Sequence, residues 1–188
     1  MTTAILRAGT SVPAEDTDTR TRILDSARRL FIERGYVGTS LSDIAADVGL
    51  TKTAVAYHFH PKERLLVELV APALADVARE LGDAQPRTRE QRRRFLVRVV
   101  DVLVRHRDVV GILAADTGVL TLPALGGAPA PRDLLVGRLL PARPSAADTV
   151  RAWAALGAVQ VAVARTLGHP EDVVRDVATA AALAAYDS

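Results

Sequence analysis

The sequence predicts an all-α protein of about nine helices. Apolar residues recur at intervals of three and four along most of the 188 residues, which is the spacing of one helix face. Serine, threonine and glycine stand where such stretches begin and end, as helix caps do. No stretch shows the period-two alternation of a half-buried strand.

The composition is that of a globular chain and excludes several kinds of site. There are 24 basic and 22 acidic side chains, which give a net charge of +2. The absence of cysteine excludes disulfide scaffolds, thiolate nucleophiles and cysteine-ligated metal centres. Residues 1–11 lack the apolar stretch of an export signal. Two charge-poor stretches, 109–131 and 152–164, are broken or too short to span a bilayer, so we expect a cytoplasmic protein without membrane contact.

The chain should begin with a flexible arm and one long helix. Residues 1–17 mix Thr, Ser, Gly, Pro and acids without periodicity, which is typical of a mobile segment. From Thr19 the apolar residues fall on one helix face, and this first helix should run to about Arg34 and end at Gly35.

Two short helices should follow, joined by a glycine turn. Ser40 or Ser42 can cap the second helix, and Gly49 supplies the positive φ that ends it. Thr51 can then cap a third helix that runs through Phe59.

The remainder should be helical with two loops rich in proline. Pro61 suits the first turn of a fourth helix, which Pro72 should kink or shorten. A loop is expected over 121–131 and a linker over 141–145. The later helices are predicted at Arg92–His106, Val109–Leu120, Asp133–Leu140, from the cap Ser145 to about Leu167, and from Pro170 to about Tyr186.

A long helix followed by two short ones has the dimensions of a tri-helical helix-turn-helix unit, whose last helix enters the DNA major groove. The segment "TSLSDIAADVGLTKTAVAYHFHPKERLL", residues 39–66, resembles the signature of TetR-type transcriptional regulators. The residues in family positions are Thr39, Ile44, Ala45, Gly49, Tyr57, His58, Phe59 and Lys62. The similarity extends back over "ILDSARRLFIERGY" and covers about the first third of the chain.

The resemblance implies a homodimer with two domains. Residues 18–78 would form the DNA-binding domain, with the helix-turn-helix at about 41–60, and residues 79–188 would bind an effector and dimerise. The implied function is a repressor that leaves a palindromic operator in double-stranded DNA when a small molecule binds. Alternatives are an activator, a ligand-independent regulator, or a helical ligand-binding or scaffold protein that has lost DNA affinity. Ala56 stands where relatives usually carry an aromatic residue, which is consistent with the last alternative.

The expected DNA-binding residues fall into two groups. Thr39, Ser40 and Lys62 lie at helix N-termini, where hydroxyl, amide and ammonium groups can hold phosphates. The early turns and exposed face of the third helix carry Thr51, Lys52, Thr53, Ala54 and Tyr57. His58 should pack or contact a phosphate rather than bind metal. This helix has no Arg, Asn or Gln, so base discrimination per half-site should be modest.

Two further sets of arginines could bind DNA. Arg20 and Arg22 could reach a minor groove, although a solvated tail is the alternative. The arginines between Arg87 and Arg98 could form a second DNA-binding patch or only a solvated face.

The second half contains no motif of its own, and its candidates are weaker. Asp116, Thr117, Trp153 and Gln160 could line an effector pocket, although Asp116 and Thr117 could simply cap a bend and Trp153 could be core. The last two helices are rich in alanine and should pack against a second copy, a thick monomeric core being the alternative. The expected dimer contacts are Ala158, Val161, Ala162, Arg165, Val177, Ala181 and Ala184. No catalytic motif, metal site or cofactor site is present, so an enzyme is not expected.

Overall fold

The computed structural model describes residues 14–82, 84–116, 119, 122 and 131–188. This part of the chain contains nine helices, which confirms the all-α class. They are α1 (Ala14–Arg34), α2 (Leu41–Val48), α3 (Lys52–His58), α4 (Glu63–Gly82), α5 (Arg89–Arg105), α6 (Arg107–Ala115), α7 (Pro131–Leu139), α8 (Ala146–Arg165) and α9 (Glu171–Asp187). Thr117, most of the predicted arm and most of the predicted 121–131 loop lie outside the described residues.

Three predicted boundaries are corrected. Helix α1 already begins at Ala14, so residues 14–17 belong to a helix rather than to a flexible arm. Helix α5 begins earlier than expected because Thr88 and Gln91 form a capping box that fixes its start. Helix α6 ends at Ala115, because the next residue, Asp116, has extended φ and ψ angles.

The first apolar core, here called the N-terminal core, joins α1 to α4 with α6. Phe31 of α1, Ile44 of α2 and Val55 of α3 are fully buried in it. Ile112 of α6 is also fully buried in this core, and Val109 is nearly so. Helix α6 therefore packs against α1 and α4 of the N-terminal core although it lies far along the sequence.

The second apolar core, here called the C-terminal core, joins α5, α7, α8 and α9. Phe95, Leu96 and Leu156 are among its most buried side chains. Helix α4 runs through Pro72 and contributes to both cores, since Leu65 lies in the first core and Val77 in the second. None of the helices described is both long and apolar enough to be a transmembrane segment.

Candidate nucleic-acid interface

The turn between α2 and α3 is set by local capping. The Ser40 hydroxyl accepts a hydrogen bond from the Asp43 amide at 3.1 Å, and the Asp43 carboxylate accepts one from the Ser40 amide at 2.7 Å. The Asp43 carboxylate also accepts a bond from the Ser40 hydroxyl at 2.6 Å, and this bond, followed by the one from the Ser40 amide, lowers the pKa of Asp43. Gly49 ends α2 with a φ of 71°, and Thr51 caps α3 through a 3.1 Å bond from the Ala54 amide. Ser40, Gly49 and Thr51 therefore act as the sequence predicts.

Helix α3 has one buried and one exposed face. Val55 is fully buried, as is the capping residue Phe59, and these two anchor the helix. Lys52 and Thr53 are exposed, and Tyr57 is 82% exposed although its ring is large. The exposed face therefore offers an ammonium, a hydroxyl and a phenol to a ligand outside the protein.

Side chains on α1 hold α2 in place. Asp47 of α2 accepts hydrogen bonds from Ser26 at 2.6 Å and from Arg29 at 2.5 Å, and these bonds lower the pKa of Asp47. Arg22 donates to the Val48 carbonyl at the end of α2, at 2.8 Å. Sequence reasoning missed Asp47, because its partners lie 21 and 18 residues away along the chain.

Arg20 and Arg22 bond to other groups of the protein, so they do not belong to a solvated tail. Both lie in α1, and Arg20 is bonded to Glu68 of α4 with its guanidinium 5.1 Å from the ring centroid of Phe59. His58 packs towards α1, with its Nε2 3.5 Å from the Asp16 carboxylate. These contacts hold α3 and α4 against the first helix.

Lys62 and Thr39 differ most from their predicted roles. The Lys62 ammonium donates to the carbonyls of Tyr36 at 2.8 Å and Thr39 at 2.9 Å, and lies 4.0 Å from the Tyr36 ring centroid. Burial lowers the pKa of Lys62 and raises that of Tyr36 to about 12. The Thr39 side chain is buried, with its hydroxyl 2.9 Å from the Gly35 carbonyl. Both side chains therefore stabilise the turn before α2, and neither projects freely into solvent where it could bind a phosphate.

Asp116 links the end of α6 to the turn between α1 and α2. It caps the C-terminus of α6, and its carboxylate accepts a hydrogen bond from the Val37 amide at 3.3 Å. Val37 belongs to the turn between α1 and α2, immediately before the helix-turn-helix. Asp116 thus contacts the N-terminal part of the molecule, and its partner in the predicted pocket, Thr117, is not among the described residues.

Trp153 and Gln160 lie on α8. Trp153 is 38% exposed, and the Arg132 guanidinium lies 5.1 Å from its ring centroid, so the alternative of a core tryptophan does not apply. Gln160 is half-buried. Neither residue lines the groove described next, and their effector role stays a prediction.

An apolar groove of about 170 Å³ runs between α8 and α9. Val161 and Val177 are each 64% exposed on these two helices. Of the predicted dimer contacts, Ala162 is half-buried and the others are exposed, and the groove itself is lined by Ala158, Ala162, Val177 and Ala181 among others. The structure thus brings four of the seven predicted dimer contacts to one apolar groove.

The arginines of α5 other than Arg92 are paired with carboxylates along the protein surface. Arg93 and Arg89 pair with Asp187, Arg94 pairs with Glu90 at 2.9 Å, and Arg98 pairs with Glu80 at 2.7 Å. These ion pairs favour the solvated-face interpretation over a second DNA-binding patch. Among the described residues, no three His, Asp or Glu side chains converge as a metal site requires.

Comparison with known proteins identifies the helix-turn-helix. Residues 23–69 match the family model of bacterial regulatory proteins of the tetR family. The HTH-type transcriptional regulator TtgR of Pseudomonas putida is 37% identical over 76 residues, which are 40% of this chain and 34% of TtgR. The negative transcriptional regulator IcaR of the Staphylococcus aureus biofilm operon icaADBC is 43% identical over 49 residues, which are 26% of each chain. The matched segments thus span about a third of the curated relatives or less.

The likeness to solved structures covers most of the chain. The TetR family regulator PfmR from Thermus thermophilus aligns with a TM-score of 0.61 at 23% identity, over 89% of this chain and 98% of PfmR. A TetR family member from Streptomyces coelicolor aligns with a TM-score of 0.56 at 26% identity, over 87% of this chain and 89% of that protein. The fold similarity therefore continues through α5 to α9, beyond the segment that the sequence relatives share. Residues 23–69 thus match the DNA-binding segment of the tetR family of bacterial regulatory proteins, and the fold of the whole described chain is similar to that of solved TetR-family structures.

Proposed function

We propose that the protein is a sequence-specific DNA-binding transcriptional regulator that represses transcription and leaves its operator when a small molecule binds. The observation that carries the proposal is the exposed face of α3. Lys52, Thr53 and Tyr57 face outward while Val55 anchors the helix, so α3 can enter a major groove without unfolding its own core. The names of the relatives TtgR and IcaR, both transcriptional regulators, support this function. Such a regulator acts where the chromosome is, in the cytoplasm.

Base reading by this helix would rest on few groups. The α3 sequence contains no bidentate reader of guanine or adenine. The Lys52 ammonium, the Thr53 hydroxyl and the Tyr57 phenol would supply phosphate and base-edge contacts, and the methyl groups of Thr53 and Ala54 could meet thymine. Much of the specificity would then come from the spacing of two half-sites and from DNA shape.

A homodimer would supply that spacing. The apolar groove between α8 and α9, with Val161 and Val177 exposed on either side, has the chemistry of an interface that needs a second copy. Two-fold symmetry would place these helices against their equivalents and the two α3 helices in successive major grooves, about 34 to 36 Å apart. The operator would accordingly be palindromic.

Helix α6 would couple effector binding to DNA binding. Its Ile112 is buried in the N-terminal core, and the Asp116 carboxylate at its end bonds to the turn before α2. An effector that binds between the later helices and moves α6 would therefore disturb the N-terminal core and the turn before α2, which position the helix-turn-helix. Asp116→Ala tests this coupling by its effect on operator affinity, with Asp133→Ala on the exposed side of α7 as control. Equal operator affinity in the two variants would contradict the coupling role of Asp116.

The decisive experiment is selection from random duplex DNA with the purified protein, followed by measurement of the salt dependence of binding. We expect a palindromic site, and a slope of log K against log salt of about −0.9 for each phosphate contact. Tyr57→Ala, which alters an exposed side chain only, should abolish enrichment of that site. No enrichment by the unmodified protein would instead favour the ligand-binding or scaffold alternative.

A further inference from the structure

A polar cleft lies in the C-terminal half, away from the helix-turn-helix. It has a volume of about 90 Å³ and forms where the start of α5, the link between α7 and α8, and the end of α9 meet. Three arginines line it, namely Arg89, Arg92 and Arg151, together with one carboxylate, Asp148. This space is large enough for several water molecules or one small polar ligand.

The guanidinium of Arg92 is fixed by neutral oxygens. Its Nε donates to the Tyr186 hydroxyl at 2.9 Å, and its Nη1 donates to the Arg87 carbonyl at 3.0 Å. The Tyr186 hydroxyl in turn donates to the buried Leu139 carbonyl at 2.7 Å, which fixes the phenol. Within the described ranges, Arg92 forms no ion pair with a carboxylate. Its positive charge is therefore preorganised in the cleft wall and not neutralised by a direct partner.

The other charges of the cleft leave a positive excess. Arg151 pairs with Asp148 at 3.6 Å, but the same carboxylate also accepts bonds from the Ser145 amide at 2.9 Å and the Ser145 hydroxyl at 2.7 Å. Those Ser145 bonds, followed by the charges of Arg151 and Arg92, lower the pKa of Asp148. Arg89 is neutralised at the rim by Asp187, at 3.2 Å. The cleft lining thus contains two arginines, Arg92 and Arg151, beside one carboxylate, Asp148, which already accepts the hydrogen bonds that cap α8.

We propose that this cleft binds a small anion through a carboxylate or phosphate group held between Arg92 and Arg151. Guanidinium groups bind the oxygens of either group through paired, charge-assisted hydrogen bonds. The small volume and the Asp187 carboxylate, which pairs with Arg89 of the lining, disfavour a nucleic-acid backbone or an acidic protein surface. The site is separate from the DNA-binding function proposed above and does not depend on it.

The test is calorimetric titration of the full-length protein with inorganic phosphate and, separately, with succinate, at constant ionic strength set by sodium chloride. We expect saturable binding of at least one of them, with one site per protomer. Arg151→Gln and Arg92→Lys should each weaken binding about tenfold or more, because each removes part of the paired geometry. Arg94→Gln is the matched control, since Arg94 is exposed on the same helix as Arg92 and, among the residues that the structure describes, pairs only with Glu90.

Each outcome decides the proposal. Binding of phosphate alone would assign the site to phosphate esters, and binding of succinate alone to carboxylates. Heat from neither probe, or affinities unchanged in both Arg151→Gln and Arg92→Lys, would overturn it. Circular dichroism of each variant checks that a loss of binding is not a loss of folding. Arg151 is suited to this check because its ion pair with Asp148 lies at the surface, at 35% and 36% side-chain exposure.

Discussion

The two lysines of the chain, Lys52 and Lys62, should separate DNA contact from structural support. Both are expected from sequence to meet DNA, but Lys52 is exposed whereas the Lys62 ammonium bonds to the carbonyls of Tyr36 and Thr39 at 2.8 and 2.9 Å. Replacing each by methionine removes the charge and keeps a similar chain length. The Lys62 variant loses two charge-assisted hydrogen bonds, each of about 1.5 to 3 kcal/mol, and partial exposure of the site favours the lower end.

The lysine prediction is measured by thermal unfolding and by the salt dependence of operator binding. Lys62→Met should lower stability by about 3 to 4 kcal/mol, hence Tm by about 6 to 16 °C for a chain of this size. Lys52→Met should leave Tm unchanged and reduce the salt slope by about 0.9 for each half-site. An unchanged Tm in Lys62→Met, with a slope reduced as in Lys52→Met, would refute the structural role assigned to Lys62.

Four further predictions follow from the described contacts. Tyr57→Ala should weaken operator binding by about 1 to 3 kcal/mol per half-site in a binding titration and leave Tm unchanged, because the ring is 82% exposed. Gly49→Ala should lower the free energy of unfolding, measured with denaturant, by about 1 kcal/mol because φ is 71° at that residue. Gly137→Ala in α7 is the control and should not destabilise the protein, because an added Cβ meets no atom within 4 Å. Val177→Asp should give a monomer in sedimentation, while Leu134→Asp on the half-exposed side of α7 should not change the mass. Hydrogen bonding to His106, with help from Arg79 and Arg105, lowers the pKa of Asp76 from 3.8 to about 2. The contribution of Asp76 to stability is therefore present at neutral pH and is lost as the pH falls from about 4 to about 2. In Asp76→Asn, Tm should depend less on pH in that interval than in the unmodified protein.

Features fixed by short-range contacts could be predicted from sequence, and features fixed by distant contacts could not. Ser40, Gly49 and Thr51 cap the helices as expected, because each cap depends on residues within four positions. The Lys62 ammonium bonds to carbonyls 26 and 23 residues away, and no spacing in the sequence indicates that pairing. The exposure of Trp153 could not be predicted for a related reason, since whether an apolar residue on a mostly apolar helix is covered depends on where α7 lies.

The arrangement of α6 gives a physical basis for coupling between the two halves. Ile112 of α6 is fully buried in the N-terminal core, while a Cβ added to Gly111 would lie 3.0 Å from Leu167, which follows α8. Close-packed contacts transmit displacement because they leave no space to absorb it. A ligand that repositions α8 would therefore displace α6 and strain the Asp116 bond to Val37. The ligand can shift operator binding only by its differential affinity for the two arrangements, and typical couplings of about 1 to 3 kcal/mol correspond to about 5- to 150-fold in affinity.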